Sequence, residues 1–293
     1  MADFRHYQPR RSSSGTAWRR WFIFAIIAIV IFFMAGAIFG GGNSSTNENN
    51  EPDITLINNA DVNAPANTNT DLNANTNLAV NGNTDLSTFA LANCPVPISQ
   101  YGQRQVVALT FNLVANNKYV PEVLTALQQA KAGASFFTTG AFAVKNEELI
   151  KSIVAAGFGV YSQGNDLLHF GTLAIADVTS QLTKAENTIS AITGQTTKPL
   201  VRMPYGEYTD QTIKAAKDQG YCIIQWTVDA FDWKSDMTAD QSKERVLGAI
   251  KPGAIVVMSA GSDTAPNFLS SLISELRSRG YEPLSVAQLL QTK

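Results

Sequence analysis

"VVALTFNLVANN", Val106 to Asn117, decides how the rest of the chain is read. An apolar, β-branched run ends at Phe111, and the chain then turns polar and loses its pattern. This is a buried strand running out into a loop. Its tip carries Asn112 and Leu113. Outward from it, strand-like runs fall at 105–111, 134–138, 158–162, 200–203, 221–228, 254–258 and 283–286. Amphipathic stretches lie between them near 120–132, 146–156, 174–193, 209–219, 239–250 and 265–279. Alternating β and α units imply a parallel sheet. Seven units in roughly 190 residues predict an α/β fold built as a short or distorted (β/α)7-type barrel, with a doubly wound open sheet as the alternative. In either fold ligands bind at the C-terminal ends of the strands.

The chain before this part differs in kind. Residues 1–20 carry Arg5, Arg10, Arg11, Arg19 and Arg20 against one acid, Asp3. Residues 21–40, "WFIFAIIAIVIFFMAGAIFG", contain no charge. About 20 apolar residues suffice to cross a bilayer core as one helix. The preceding arginines predict a cytoplasmic N-terminus and an extracytoplasmic remainder, a single-pass membrane protein. A cleaved signal peptide, with "MAGA" (34–37) as its cleavage site, is the alternative. Residues 41–92 are rich in Asn, Thr, Ala and Asp and carry no helical or strand period. Such a segment cannot bury enough apolar surface to offset its ordering entropy, so a disordered tether is expected. Its root-mean-square span would be roughly 40 Å, and a taut chain would reach ~170 Å. The layout is thus a cytoplasmic tail (1–20), a transmembrane anchor (21–40), a linker (41–92) and a globular domain (93–293).

The formal net charge of −2 gives no reason to expect a nucleic-acid partner. The two cysteines, Cys94 and Cys222, fall on the extracytoplasmic side, near the starts of the first and fifth strands. An oxidising compartment permits them to pair; two buried free thiols are the other reading.

Four strand ends bring polar or aromatic groups to one rim: "YSQGNDLLHF" (161–170), "RMPYGEY" (202–208), "QWTVDAFDWK" (225–234) and "VVMSAGS" (256–262). Their order resembles the polysaccharide deacetylase family, the nodulation-type deacetylases of carbohydrate esterase family four. "RMPYG" is similar to that family's Arg-x-Pro-Tyr-Gly loop, and "WTVDAFDW" to its Trp-x-x-Asp-x-x-Asp-Trp loop. The resemblance spans about residues 100–290. It implies a barrel of the polysaccharide deacetylase kind and hydrolysis of N-acetyl or O-acetyl groups. The cofactor implied is a divalent metal, often zinc, held by one Asp and two His.

Laid on this chain, the family's first strand ends in Thr-Phe-Asp-Asp where this one has Asn112 and Leu113. Asn112 takes the general-base position, and an amide has no basic lone pair near neutral pH. Leu113, Gln163 and Leu167 take the three metal-ligand positions, and Ser259 takes that of the acid histidine. The chain has two histidines, His6 and His169, and only His169 follows the apolar stretch. The resemblance makes Arg202 the partner of the base, Pro204, Tyr205 and Gly206 the loop near the oxyanion, and Asp229 the carboxylate that orients the acid histidine. With their partners absent, Arg202 and Asp229 are expected to approach each other or stay solvated. Trp226 and Trp233 are either core residues or walls on which sugar faces stack. Asp166, His169 and Asp229 form an alternative metal set. The expectation is a catalytically inactive deacetylase-like protein without a cofactor, binding cell-wall glycan, a peptidoglycan-like polymer, or a protein partner. The alternatives are an active deacetylase with rearranged residues, and a structural module without a ligand.

Overall fold

The protein is described here by a computed structural model that covers Leu86, Cys94 and residues 96–292. The stretches read as tail and anchor lie outside the described residues, as does the linker apart from Leu86. Among the described residues no helix is long and apolar enough to cross a membrane.

The strand that opened the reading is β1 (Val106–Leu113), at the centre of an all-parallel sheet. Around it lie β2 (Ser135–Thr138), β3 (Gly159–Ser162), β4 (Leu200–Val201), β5 (Cys222–Ile223), β6 (Val228–Asp229), β7 (Ala254–Ser259) and β8 (Glu282–Leu284). Their order is β5-β4-β3-β2-β1-β7-β6, and β8 pairs with the first residues of β1. The run read as one strand over 221–228 is thus two short strands at opposite ends of the sheet path. Only residues 224–227 separate them, so the sheet curls until its two ends belong to one segment. The reason is a change of partner: Ile224 N donates to Val201 O (2.7 Å), whereas Thr227 N donates to Ile255 O (3.0 Å). Residues 98–100 cover the seam at the strand starts. Ile98 bridges to Ile224, Gln100 bridges to Ala254, and Gln100 Nε2 donates to Pro252 O (2.7 Å).

Helices α1 (Val120–Gln129), α2 (Gly140–Lys145), α3 (Glu147–Ala155), α4 (Ile175–Thr193), α5 (Asp210–Asp218), α6 (Ala239–Ala249), α7 (Ala265–Ser278) and α8 (Val286–Gln291) complete the described fold. Their ends follow sequence chemistry. Thr209, Thr238 and Ser285 cap α5, α6 and α8 in capping boxes, and α4 stops at Gly194 with φ 70°.

Side-chain alternation along β1 divides the core. Val107, Leu109, Phe111 and Leu113 join one cluster with α1 and α7 residues such as Val123, Leu127, Phe268 and Leu272. Val106 and Ala108 join a second cluster with Phe137, Tyr161, Leu200, Cys222, Ile224 and Ile255. Leu86, within the stretch read as linker, is buried in this second cluster, as is Cys94. Cys94 and Cys222 are joined as a disulfide with a Cα–Cα distance of 5.6 Å. By the same parity Thr110 and Asn112 belong to the inner face, whereas Leu113 points to the helix side.

Candidate functional site at the strand ends

The inner face of β1 ends on a buried cation. Arg202, just past β4, is fully buried. Its Nη1 donates to Asn112 Oδ1 (3.0 Å), its Nη2 to Thr110 Oγ1 (2.9 Å) and its Nε to Ile224 O (3.2 Å). The guanidinium stands 4.1 Å over the Phe137 ring and 5.4 Å from that of Trp226. Burial pushes it down to about 9, and the charge of Asp229 pulls it back upward, so it stays cationic at neutral pH. Of the expectation that Arg202 and Asp229 would approach each other or stay solvated, solvation of Arg202 is corrected: it is fully buried, and Asp229 acts on its charge without an ion pair between them among the described residues. An amide oxygen takes the place of a carboxylate partner, and aromatic faces supply the rest of the cation's surroundings.

Beside Asn112 in register stands Ser259 at the end of β7, and Ala260 N donates to Asn112 O (3.0 Å). Ser259 N in turn donates to both carboxylate oxygens of Asp232 (3.0 and 3.2 Å). Asp232 is buried, and desolvation, aided by the negative charge of Asp229, pushes its carboxyl up to about 7. Asp229 itself accepts from Phe231 N (2.8 Å), and burial raises its carboxyl above the ordinary 3.8. The turn between the two acids needs a left-handed residue, Phe231 at φ 56°. Asn112, Ser259, Asp232 and Trp233 line a groove of about 760 Å³ with Tyr119 and Lys234 among its other walls. Asp232 lies inside the quoted "WTVDAFDW" run but was passed over for Asp229. Its signal was the second carboxylate of that run, placed beyond the strand where the chain turns toward β7.

The other half of the rim is occupied by its own side chains. Tyr205 has φ 58° and Gly206 φ 70°. A Cβ at Gly206 would meet the Trp226 ring at 2.9 Å, so this turn requires glycine. The Tyr205 ring stacks on His169 with centroids 4.3 Å apart, and its hydroxyl donates to Leu167 O (3.3 Å). His169 Nδ1 lies 3.0 Å from Glu207, a residue the sequence reading did not single out. Asp166 accepts from Asn165 and Gln181, which hold its carboxyl below the ordinary range. Trp226 packs against the inner cluster, whereas Trp233 is 61 % exposed.

No three His, Cys, Asp or Glu side chains among the described residues gather as a metal site. The alternative set of Asp166, His169 and Asp229 is thus not brought together, because each is held by a different neighbour. At the ligand positions assigned by resemblance, Leu113 is buried in the helix-side core and Leu167 is partly exposed. Gln163 is buried, and its Oε1 lacks a hydrogen-bond partner among the described residues. One amide oxygen and two aliphatic side chains do not fit a divalent cation.

Comparison with known proteins agrees with this architecture. The family model described as "Polysaccharide deacetylase" matches residues 99–224. The chain is 30% identical over 196 residues to the peptidoglycan-N-acetylglucosamine deacetylase of Bacillus cereus, covering 64% of this chain and 68% of that one. It is 30% identical over 206 residues to the chitooligosaccharide deacetylase of Sinorhizobium fredii, covering 66% and 95%. Among solved structures, a wild-type CE4 family pseudoenzyme from Bacillus anthracis superposes with a TM-score of 0.65 at 31% identity, over 67% of this chain and 69% of that one. A mutant CE4 family pseudoenzyme described as having restored enzymatic activity superposes with the same score and identity, over 67% and 72%. From the order of its strand-end loops, its curled parallel sheet and these relatives, the chain belongs to the polysaccharide deacetylase family.

Proposed function

We propose that this protein is an extracytoplasmic, membrane-anchored member of the family that binds cell-wall glycan through the groove and does not deacetylate it. The observation that carries the reading is the Asn112–Arg202 contact: at the strand tip where a base is required, an amide stands with its oxygen already engaged. The side chains at 113, 163 and 167 support it, since they offer no ligand set. The metal-polarised water and the proton carrier that the reaction needs therefore have no residues to hold them. What remains is a groove with an exposed indole, open polar groups and a rigid floor, which suits a sugar polymer. Relatives named for peptidoglycan and chitooligosaccharides point to the same ligand class. The curled sheet reads as a distorted (β/α)7-type barrel over residues 93–293. The uncharged 21–40 stretch serves as anchor with the N-terminus cytoplasmic, and the tether that begins at 41 ends before Leu86, which packs in the core.

Acetate release from N-acetylated chitooligosaccharides, with zinc or cobalt added, tests the proposal. No release above a protein-free control is expected, and sustained turnover would overturn it.

A further inference from the structure

Arg202 also dictates which way the Asn112 amide faces. A guanidinium only donates, so the atom beside its Nη1 is the amide oxygen and the NH₂ points elsewhere. Asn112 is half-buried and lines the groove, and its NH₂ has no partner among the described residues. The Ser259 hydroxyl, its neighbour in register, is likewise without a partner among them. Two ammonium groups, Lys118 and Lys234, line the same groove, and neither is paired with a carboxylate among the described residues. No acid forms an ion pair with either among the described residues: Asp232 has both oxygens turned to Ser259 N, Asp263 and Glu122 act on Lys118 only through space, and so does Asp229 on Lys234.

We infer that the groove selects saccharides that carry a carboxylate, with Asn112 as the specificity-determining residue and Arg202 as the residue that positions it. The inference rests on the glycan-binding reading above and names the ligand class. A carboxylate only accepts, and the strand tips present donors. Hydrogen bonds to a charged acceptor are stronger than those to a neutral one. Lys234, whose ammonium lies over the Phe231 ring (4.3 Å) and 5.6 Å from that of Trp233, supplies the countercharge, and Trp233, 61 % exposed, offers its open surface to the sugar. A neutral sugar retains the stacking and loses the charge-assisted contacts.

Titration calorimetry of the full chain at low ionic strength with two hexasaccharides tests this. The chitin hexamer is neutral throughout, whereas in the hyaluronan hexamer every second sugar bears a carboxylate. The hyaluronan hexamer should bind about tenfold more tightly. Asn112→Asp should abolish that margin, and its melting temperature should rise because the new carboxylate pairs with Arg202, which also shows that the variant is folded. Asn112→Ala, with no charge of its own, should narrow the margin to about threefold, and Lys234→Gln should narrow it too. Equal affinities for the two hexamers, or a margin unchanged by both Asn112 variants, would overturn the inference and leave glycan binding standing. Absence of binding to either hexamer would remove the glycan-binding reading, and this inference with it.

Discussion

The two halves of the strand-end rim use similar residue types to opposite effect. On the β3–β4 side, His169, Tyr205 and Glu207 satisfy one another, and Asp166 is taken up by Asn165 and Gln181. On the β1–β7 side, Asn112 and Ser259 keep polar atoms open to a large groove, with Asp232 buried beneath them. Counting polar groups therefore does not locate a binding surface. What locates it is which groups remain unsatisfied after the side chains have found their neighbours. Arg202 is the side chain that joins the halves, standing on the β4 side with both Nη donors on β1.

The most severe way to break the contrast is to open the seam beneath both halves. The Cys94–Cys222 bond closes a loop with a sequence separation of 128. In the chain-entropy account its loss costs about 5 kcal/mol. Cys94→Ser with Cys222→Ser should lower the urea midpoint accordingly, and both halves should be lost in one transition.

Next in size is Arg202→Met. It leaves Asn112 Oδ1, Thr110 Oγ1 and Ile224 O without their donor in a buried place, at a cost of about 3 kcal/mol. Chemical denaturation measures it. A change below about 1 kcal/mol would mean that the halves do not depend on this tie.

A smaller effect sharpens the contrast by titrating one half alone. The Asp232 carboxyl sits at about 7 when folded and at the ordinary 3.8 when exposed. Between those values the folded state holds a proton that the unfolded state has released. Its contribution is therefore present below about pH 4 and falls as pH rises toward 7. Asp232→Asn should flatten that slope in a pH series of unfolding midpoints. A slope unchanged by the substitution would assign the titration to another group.

Much of the fold was legible in the sequence because its signals are local. The β-α alternation and the glycine stop at Gly194 follow from neighbouring residues. The division of the run over 221–228 was not legible, since β-branched and aromatic residues read alike whichever strand they pair with. The site was legible as a set of loops but not as a set of contacts. With no carboxylate at position 112, Arg202 was expected to lose that partner, yet an amide oxygen with two aromatic faces suffices to hold it there. Asp232 and Glu207 escaped because their roles depend on where a turn directs them: Asp232 toward the start of the β7 loop, Glu207 toward a histidine nearly forty positions earlier.

The clamp between Cys94 and the first residue of β5 has a mechanical side. A pull transmitted along the chain from upstream ends on that covalent bond, at the pole where the strands begin. The mouth of the groove lies at the far pole, where they finish. Tension borne at that bond therefore does not pass through the residues that line the groove.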